Sequence, residues 1–168
     1  GENGEPNIMT AAWGGVCCSS PPSVGVSLQK ARASYGNIIK TKAFTISIPA
    51  EKYVVETDYA GIAGGKNADK FATAKLTPVR SEVVDAPYVQ EFPLILECKL
   101  THTVEIGVHT QFIGEIVDVK ADETVLGEDG LPVLAKVNSF VYSTGEKAYY
   151  GIGKLLGQAF SLGLKLQK

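Results

Sequence analysis

The chain has 168 residues, 45% of them hydrophobic and 20% charged, and a formal net charge of −2. That length and balance fit one soluble globular domain with a sizeable core. The near-neutral charge offers no broad cationic field, which argues against nucleic acid or an anionic membrane as partner, and no apolar run approaches the ~18 residues that a spanning helix needs.

In chain order, the first signal is Glu2-Asn3-Gly4-Glu5. Asn-Gly favours a tight hairpin turn, because both central positions of that turn take positive φ. A single residue precedes it, so an upstream strand outside these residues is expected. Residues 7–13 then read as a strand of unusual composition, with Asn7, Thr10, Ala11 and Ala12 where a core strand would carry Val and Ile. Small side chains let a flat ligand approach the backbone, and Asn and Thr supply hydrogen bonds. Cys17, Cys18, Ser19, Ser20, Pro21 and Pro22 form the following turn, since two prolines cannot donate to a ladder. The second strand, residues 24–28, runs into Lys30, Arg32 and Ser34 where a helix begins. Amides, a guanidinium and hydroxyls converging on a helix N-terminus suit phosphate.

Residues 33–42 are expected to be helical, with Tyr35, Ile38 and Ile39 as the buried stripe. Phe44, Ile46 and Ile48 alternate as a strand that Pro49 closes. A second helix is expected over residues 50–60, stopped by Gly61, and a third, short one capped by Asn67 and passing through Lys70, Phe71 and Ala74. Between them lies a Gly-rich loop ending at Lys66. Residues 77–92 carry Pro78 and Pro87 and read as irregular, with one short strand near 81–84. The clearest period-two pattern is Leu94, Leu96, Cys98 and Leu100. Strands over 104–106, 111–119 and 140–142 and a turn at Asp129-Gly130 complete a mainly β pattern of the kind barrels show.

Three cysteines, Cys17, Cys18 and Cys98, form neither a disulfide framework nor a metal-ligand spacing. No metal is expected, and reduced thiols suit a cytoplasmic location. Gly151, Gly153 and Gly157 imitate a dinucleotide fingerprint, but the third glycine is one position late and no apolar strand leads in.

These motifs, taken together and in order, resemble the flavin reductase-like family and, within it, the flavoredoxins. The residues that carry the resemblance are Asn7-Ile-Met-Thr-Ala-Ala-Trp13, Pro21-Pro22, Val26-Ser-Leu28 with Arg32 and Ser34, and Lys66-Asn-Ala-Asp-Lys-Phe71. Leu96-Glu-Cys98, His109 with Phe112-Ile-Gly-Glu-Ile116, and the tail from Tyr149 continue it. The resemblance implies one domain spanning 1–168, an FMN-binding split β-barrel of Greek-key type with a few short peripheral helices, and a homodimer. It implies bound FMN, the isoalloxazine lying along Met9, Thr10, Ala11 and Ala12 with Asn7 and Trp13 beside them, and Cys17, Cys18 and Ser19 near the ring or ribityl chain. The phosphate would meet Ser27, Arg32, Ser34 and the amide of Tyr35, with Lys66 and Lys70 as further cations. His109 is the candidate catalytic residue, beside the flavin.

Bland readings stand next to these. Thr10 could bond within the sheet, Lys66 and Lys70 could line a solvated helix face, and Trp13 could be ordinary packing. Arg32 at a dipole-positive helix start is mildly unfavourable unless an anion is near. The function implied is an oxidoreductase passing electrons from NAD(P)H through FMN to an acceptor. The alternatives are a flavoredoxin-type carrier serving a redox-protein partner, as in sulfite or thiosulfate reduction, and a flavin-free structural barrel.

Overall fold

Two long alternating stretches set the framework. In the computed structural model, which describes residues 1, 4–65 and 68–167, β6 (Leu94–Ile106) and β7 (His109–Ala121) pair along their whole length. Gly107, at φ +52°, supplies the left-handed residue that their two-residue turn requires. Around this hairpin β1 (Gly14–Ser19), β2 (Pro22–Leu28) and β3 (Ala43–Ile48) complete an antiparallel sheet of order β1-β2-β7-β6-β3. Helix α1 (Ala33–Thr41) links β2 to β3; α2 (Val54–Ile62) and the short α3 (Lys70–Ala74) follow β3. Strands β4 (Pro78–Arg80) and β5 (Pro87–Val89) form one small hairpin, and β8 (Phe140–Ser143) and β9 (Ala148–Gly151) another beyond the one-turn helix α4 (Leu134–Val137). The result is mainly β with short peripheral helices, as expected.

The core has two clusters. Val24, Leu28, Ile38, Phe44, Cys98 and Phe112 pack under the main sheet, and Phe71, Leu76, Val89, Phe92 and Ile95 pack under α3 and the β4–β5 hairpin. Gly114 makes the first cluster possible: a Cβ there would lie 2.7 Å from Phe44 Cζ and 3.0 Å from Cys98 Cβ. Among the described residues no helix is long and apolar enough to cross a membrane.

Several local expectations are corrected. Residues 7–13 form no strand; the ladder starts at Gly14. Side-chain bonds replace it: Asn7 Nδ2 donates to Ser34 Oγ, Thr10 Oγ1 donates to Thr57 O, and Ile8 O accepts from Lys70 Nζ. The segment is therefore tied to all three nearby helices. Cys17, Cys18 and Ser19 lie within β1 and Pro22 opens β2, so the turn is confined to Ser20 and Pro21. In α1 Ile39 faces solvent while Ile38 is buried.

Helix α2 opens with a 3-10 turn at Glu51–Tyr53 and continues through Gly61. The glycine serves packing there, since a Cβ would lie 3.3 Å from Thr10 Cβ. Asp69, not Asn67, caps α3, its carboxylate accepting from Ala72 N at 3.0 Å. Asn67, Lys66 and the Glu2-Asn3 part of the opening turn lie outside the described residues. Residues 81–84 bend where a strand was expected, because Ser81 Oγ accepts from the amides of Val83 and Val84, and the strands lie on either side. Pro78 and Pro87 each open one of them, the position that tolerates a missing ladder donor.

Candidate functional site

Where β2 hands over to α1, the chain makes a charged cleft. Arg32 holds the N-cap position of α1 but no side chain caps the helix. Among the described residues the Ala33 and Ser34 amides have no backbone partner, whereas the Tyr35 amide donates to Arg32 O at 3.0 Å. The open amides carry the positive end of the helix dipole. Across from them Lys70, on the first position of α3, is only 5% exposed. Its Nζ donates to Ile8 O at 2.9 Å and to Ala60 O at 2.8 Å, which leaves one of its three N–H groups unassigned. Burial, and secondarily the Arg32 charge, hold its ammonium below the usual lysine range. Among the described residues neither Arg32 nor Lys70 forms an ion pair with a carboxylate.

The cleft encloses about 210 Å³ and is walled by Asn7, Met9, Ala31, Arg32, Ala33, Ser34, Ala60, Gly61, Ala63, Gly64, Gly65 and Lys70. Small residues dominate that wall. A Cβ on Gly65 would meet Asn7 Oδ1 at 2.7 Å and Ala33 Cβ at 3.2 Å, so the loop closes as tightly as glycine allows. Two cations, open amides and the Ser34 hydroxyl around a space of this size suit a compact anion such as a phosphate group.

A larger cleft of about 630 Å³ adjoins it, with Asn7, Met9 and Ser34 common to both. Its walls include Thr10, Ala11, Ala12, Val26, Phe44, Ile46, Tyr88, Phe140, Tyr142 and Tyr149. An apolar, aromatic space opening from an anion receptor is shaped for a ring system carrying a charged tail.

Of the residues singled out from the sequence, Asn7, Met9, Arg32, Ser34 and Lys70 meet in the small cleft, and Thr10, Ala11 and Ala12 line the large one. Lys70 is buried, which removes the solvated-face reading for it. Trp13 and His109 meet each other edge to face, with ring centroids 6.1 Å apart, outside both clefts. Cys17, Cys18 and Ser19 are exposed on β1, and Ser27 on β2 gives its amide to Trp13 O at 2.7 Å; none of them lines either cleft. Tyr35 turns into the core against Phe112, ring centroids 5.3 Å apart, and its amide is already engaged, so it contributes no anion donor. Lys30 is likewise spent on Glu105 at 2.8 Å. Sequence reading missed the aromatic wall of Phe140, Tyr142 and Tyr149, which is distant along the chain, and took residues 62–66 for a flexible loop, although Ala63, Gly64 and Gly65 wall the small cleft. The small residues that precede Lys70 in the chain were the available signal.

An open antiparallel sheet with an anion receptor at its rim and a ring-sized cleft beside it places the molecule among ligand-binding split barrels. More particularly, the chain belongs to the flavin reductase like domain family, whose pattern matches residues 1–147. It is similar to the flavoredoxin of Desulfovibrio vulgaris (Miyazaki F): 55% identity, 94% of this chain and 84% of that one covered, TM-score 0.89. The flavoredoxin of Methanosarcina acetivorans is 28% identical, with 95% of this chain and 84% of that one covered and the same TM-score of 0.89. A Shewanella frigidimarina protein with a split barrel domain is 25% identical over 92% of this chain and 79% of that one, TM-score 0.82. The protein is a flavin reductase-like flavoprotein.

Proposed function

We propose that this chain binds FMN non-covalently and passes electrons from NAD(P)H through it to an acceptor. The phosphate sits in the cleft of Arg32, Ser34 and Lys70; the isoalloxazine lies against Met9, Thr10, Ala11 and Ala12. The observation that carries the reading is Lys70, a buried ammonium with carbonyl partners but no carboxylate among the described residues. A buried charge is costly without a counter-ion, and a phosphate would supply one while accepting the remaining donors of Lys70, Arg32 and the α1 amides. FMN, when bound, contributes a ring system that accepts and releases electrons.

The chain's own residues bind and orient it. Asn7 fixes Ser34 through its 2.9 Å hydrogen bond, and Thr10, anchored to Thr57 O, holds the 7–13 segment against α2. His109, in edge-to-face contact with Trp13, is the candidate catalytic residue on the family resemblance, its imidazole supplying positive charge to balance charge that develops on reduction. Cys17, Cys18 and Ser19 remain candidates for the ribityl side, and Ser27 and Lys66 for the phosphate, on the family resemblance alone. A homodimer and a cytoplasmic location belong to the same reading.

A second reading has its own support. The 55% identity to a flavoredoxin over 94% of this chain favours a carrier that exchanges electrons with a redox protein and does not oxidise NAD(P)H itself. An anaerobic visible spectrum of the FMN-loaded protein separates the two. Bleaching of the yellow absorption within seconds of adding NADH or NADPH supports the reductase. Bleaching by dithionite only supports the carrier. Protein that stays colourless after incubation with FMN removes both and leaves the structural barrel.

A further inference from the structure

The β8–β9 hairpin stands apart from the main sheet: among the described residues its two strands pair with each other and with no other strand. Register sets Tyr142 opposite Tyr149 and Phe140 opposite Gly151, and opposed residues share a face. Phe140, Tyr142 and Tyr149 therefore make one aromatic face, with the Phe140 and Tyr142 ring centroids 5.5 Å and 5.2 Å from that of Tyr149. This face walls the large cleft. Tyr149 itself lies beyond residue 147, where the match to the family pattern ends.

Two points fasten the hairpin to the body, both on the stretch that opens α2. At the hairpin's base Glu51 N donates to Asn138 O at 2.8 Å, and the Glu51 carboxylate lies so close to Gly151 that a Cβ there would collide with it. Further along, Tyr149 Oη donates to Asp58 Oδ1 at 2.9 Å. Among the described residues no other hydrogen bond joins residues 140–151 to the body. Burial, and then the Asp58 hydrogen bond and charge, push the Tyr149 phenol up to about 12, so it remains a donor at any ordinary pH. A two-stranded ribbon is marginally stable by itself. One hydrogen bond beyond the base thus decides whether the aromatic face is fixed at the cleft or free to swing away.

We infer that the β8–β9 hairpin is a clamp over the ring end of the large cleft and that Tyr149 and Asp58 are its positioning pair. Their hydrogen bond holds the Phe140–Tyr142–Tyr149 face against the isoalloxazine and sets how fast a bound flavin leaves. The clamp grips the ring and not the phosphate, so it acts on FMN and riboflavin alike, whereas Arg32 acts on FMN alone. This rests on the flavin reading of the cleft, but the latch itself is a property of the ligand-free chain and is tested there as well.

Three full-length variants carry the test. Tyr149→Phe keeps the ring and loses the donor, Asp58→Ala loses the acceptor, and Asp58→Asn keeps an acceptor oxygen. Dissociation of FMN and of riboflavin is followed by recovery of free-flavin fluorescence after dilution. Tyr149→Phe and Asp58→Ala should speed both by the same factor, about tenfold, the scale of one lost hydrogen bond to a charged group. Asp58→Asn should restore the parent rate to within about threefold. In the ligand-free variants, hydrogen exchange should quicken over residues 140–143 and 148–151 and stay unchanged in β6 and β7. Unchanged exchange in Tyr149→Phe and Asp58→Ala overturns the latch. Quickened exchange with unchanged flavin release overturns the clamp's hold on the ring, as does an effect confined to FMN. Asp58→Asn as fast as Asp58→Ala overturns the hydrogen bond as its cause. Parent protein that stays colourless with FMN overturns the flavin reading and the clamp's role in release together, while exchange still reports on the latch.

Discussion

Lys70 and Arg32 repel each other, yet the fold brings both to one cleft. That arrangement stores a charge problem which an anion resolves, and it makes two predictions. Arg32→Ala should weaken FMN binding by about 1.5–3 kcal/mol, the scale of a hydrogen bond to a charged group, measured by quenching of flavin fluorescence; unchanged affinity would mean the phosphate lies elsewhere. The second prediction concerns pH. Lys70 in the ligand-free protein titrates below the ordinary 10.5, through burial first and the Arg32 charge second, and a bound phosphate pulls it back up. Between the lowered value and 10.5 binding therefore takes up a proton, and FMN affinity falls as pH rises through that window. The sign for stability is opposite. The unfolded chain holds this proton more tightly than the folded one, so the ligand-free protein gains stability with pH across the same window. Titrations from pH 7 to 10 should lose their slope in Lys70→Met; a slope that survives would remove Lys70 from the anion site. Arg32 and Ser34 were legible from sequence because a cation at a helix start is an oddity in itself. The burial of Lys70 was not, because it depends on carbonyls of residues 8 and 60, neither of which a local pattern can place beside it.

The elements that hold these residues are short, so their caps and close contacts matter disproportionately. Helix α3 is only five residues long and depends on Asp69. Asp69→Ala should cost about 1 kcal/mol of stability and, by loosening the position of Lys70, weaken FMN binding too; denaturant unfolding with and without FMN reads both, and a variant as stable as the parent would show that the cap is dispensable. Strands that alternate cleanly, such as β3 and β6, were readable before any coordinates, because one buried face is a local property of the chain. The 7–13 segment was misread for the converse reason. Its polar side chains Asn7 and Thr10 bond to helices α1 and α2, and the ladder begins only at Gly14. The β4–β5 hairpin was missed because two prolines mask strands so short that their only pairing is with each other.

At the scale of the whole molecule, the two clefts are assembled from parts that no single element contains. The 7–13 segment, the α1 N-terminus, the end of α2 and the start of α3 all contribute to the small one, while β3 and the β8–β9 hairpin close the large one. A ligand spanning both clefts bridges these parts and should stabilise the entire fold by mass action. At free FMN 100 times its Kd the gain is about 2.7 kcal/mol, which for a domain of this size raises Tm by roughly 5–11 °C at ~2–4 °C per kcal/mol. Riboflavin offers the same ring without the phosphate, so it fills the large cleft and leaves Lys70 and Arg32 facing each other. At equal concentration it should therefore give only a small fraction of the FMN shift, and Arg32→Ala should narrow the gap between the two ligands. Thermal unfolding followed by circular dichroism measures all three. Equal shifts from FMN and riboflavin would show that the anion receptor is not used for flavin, and no shift from either would separate this fold from flavin altogether.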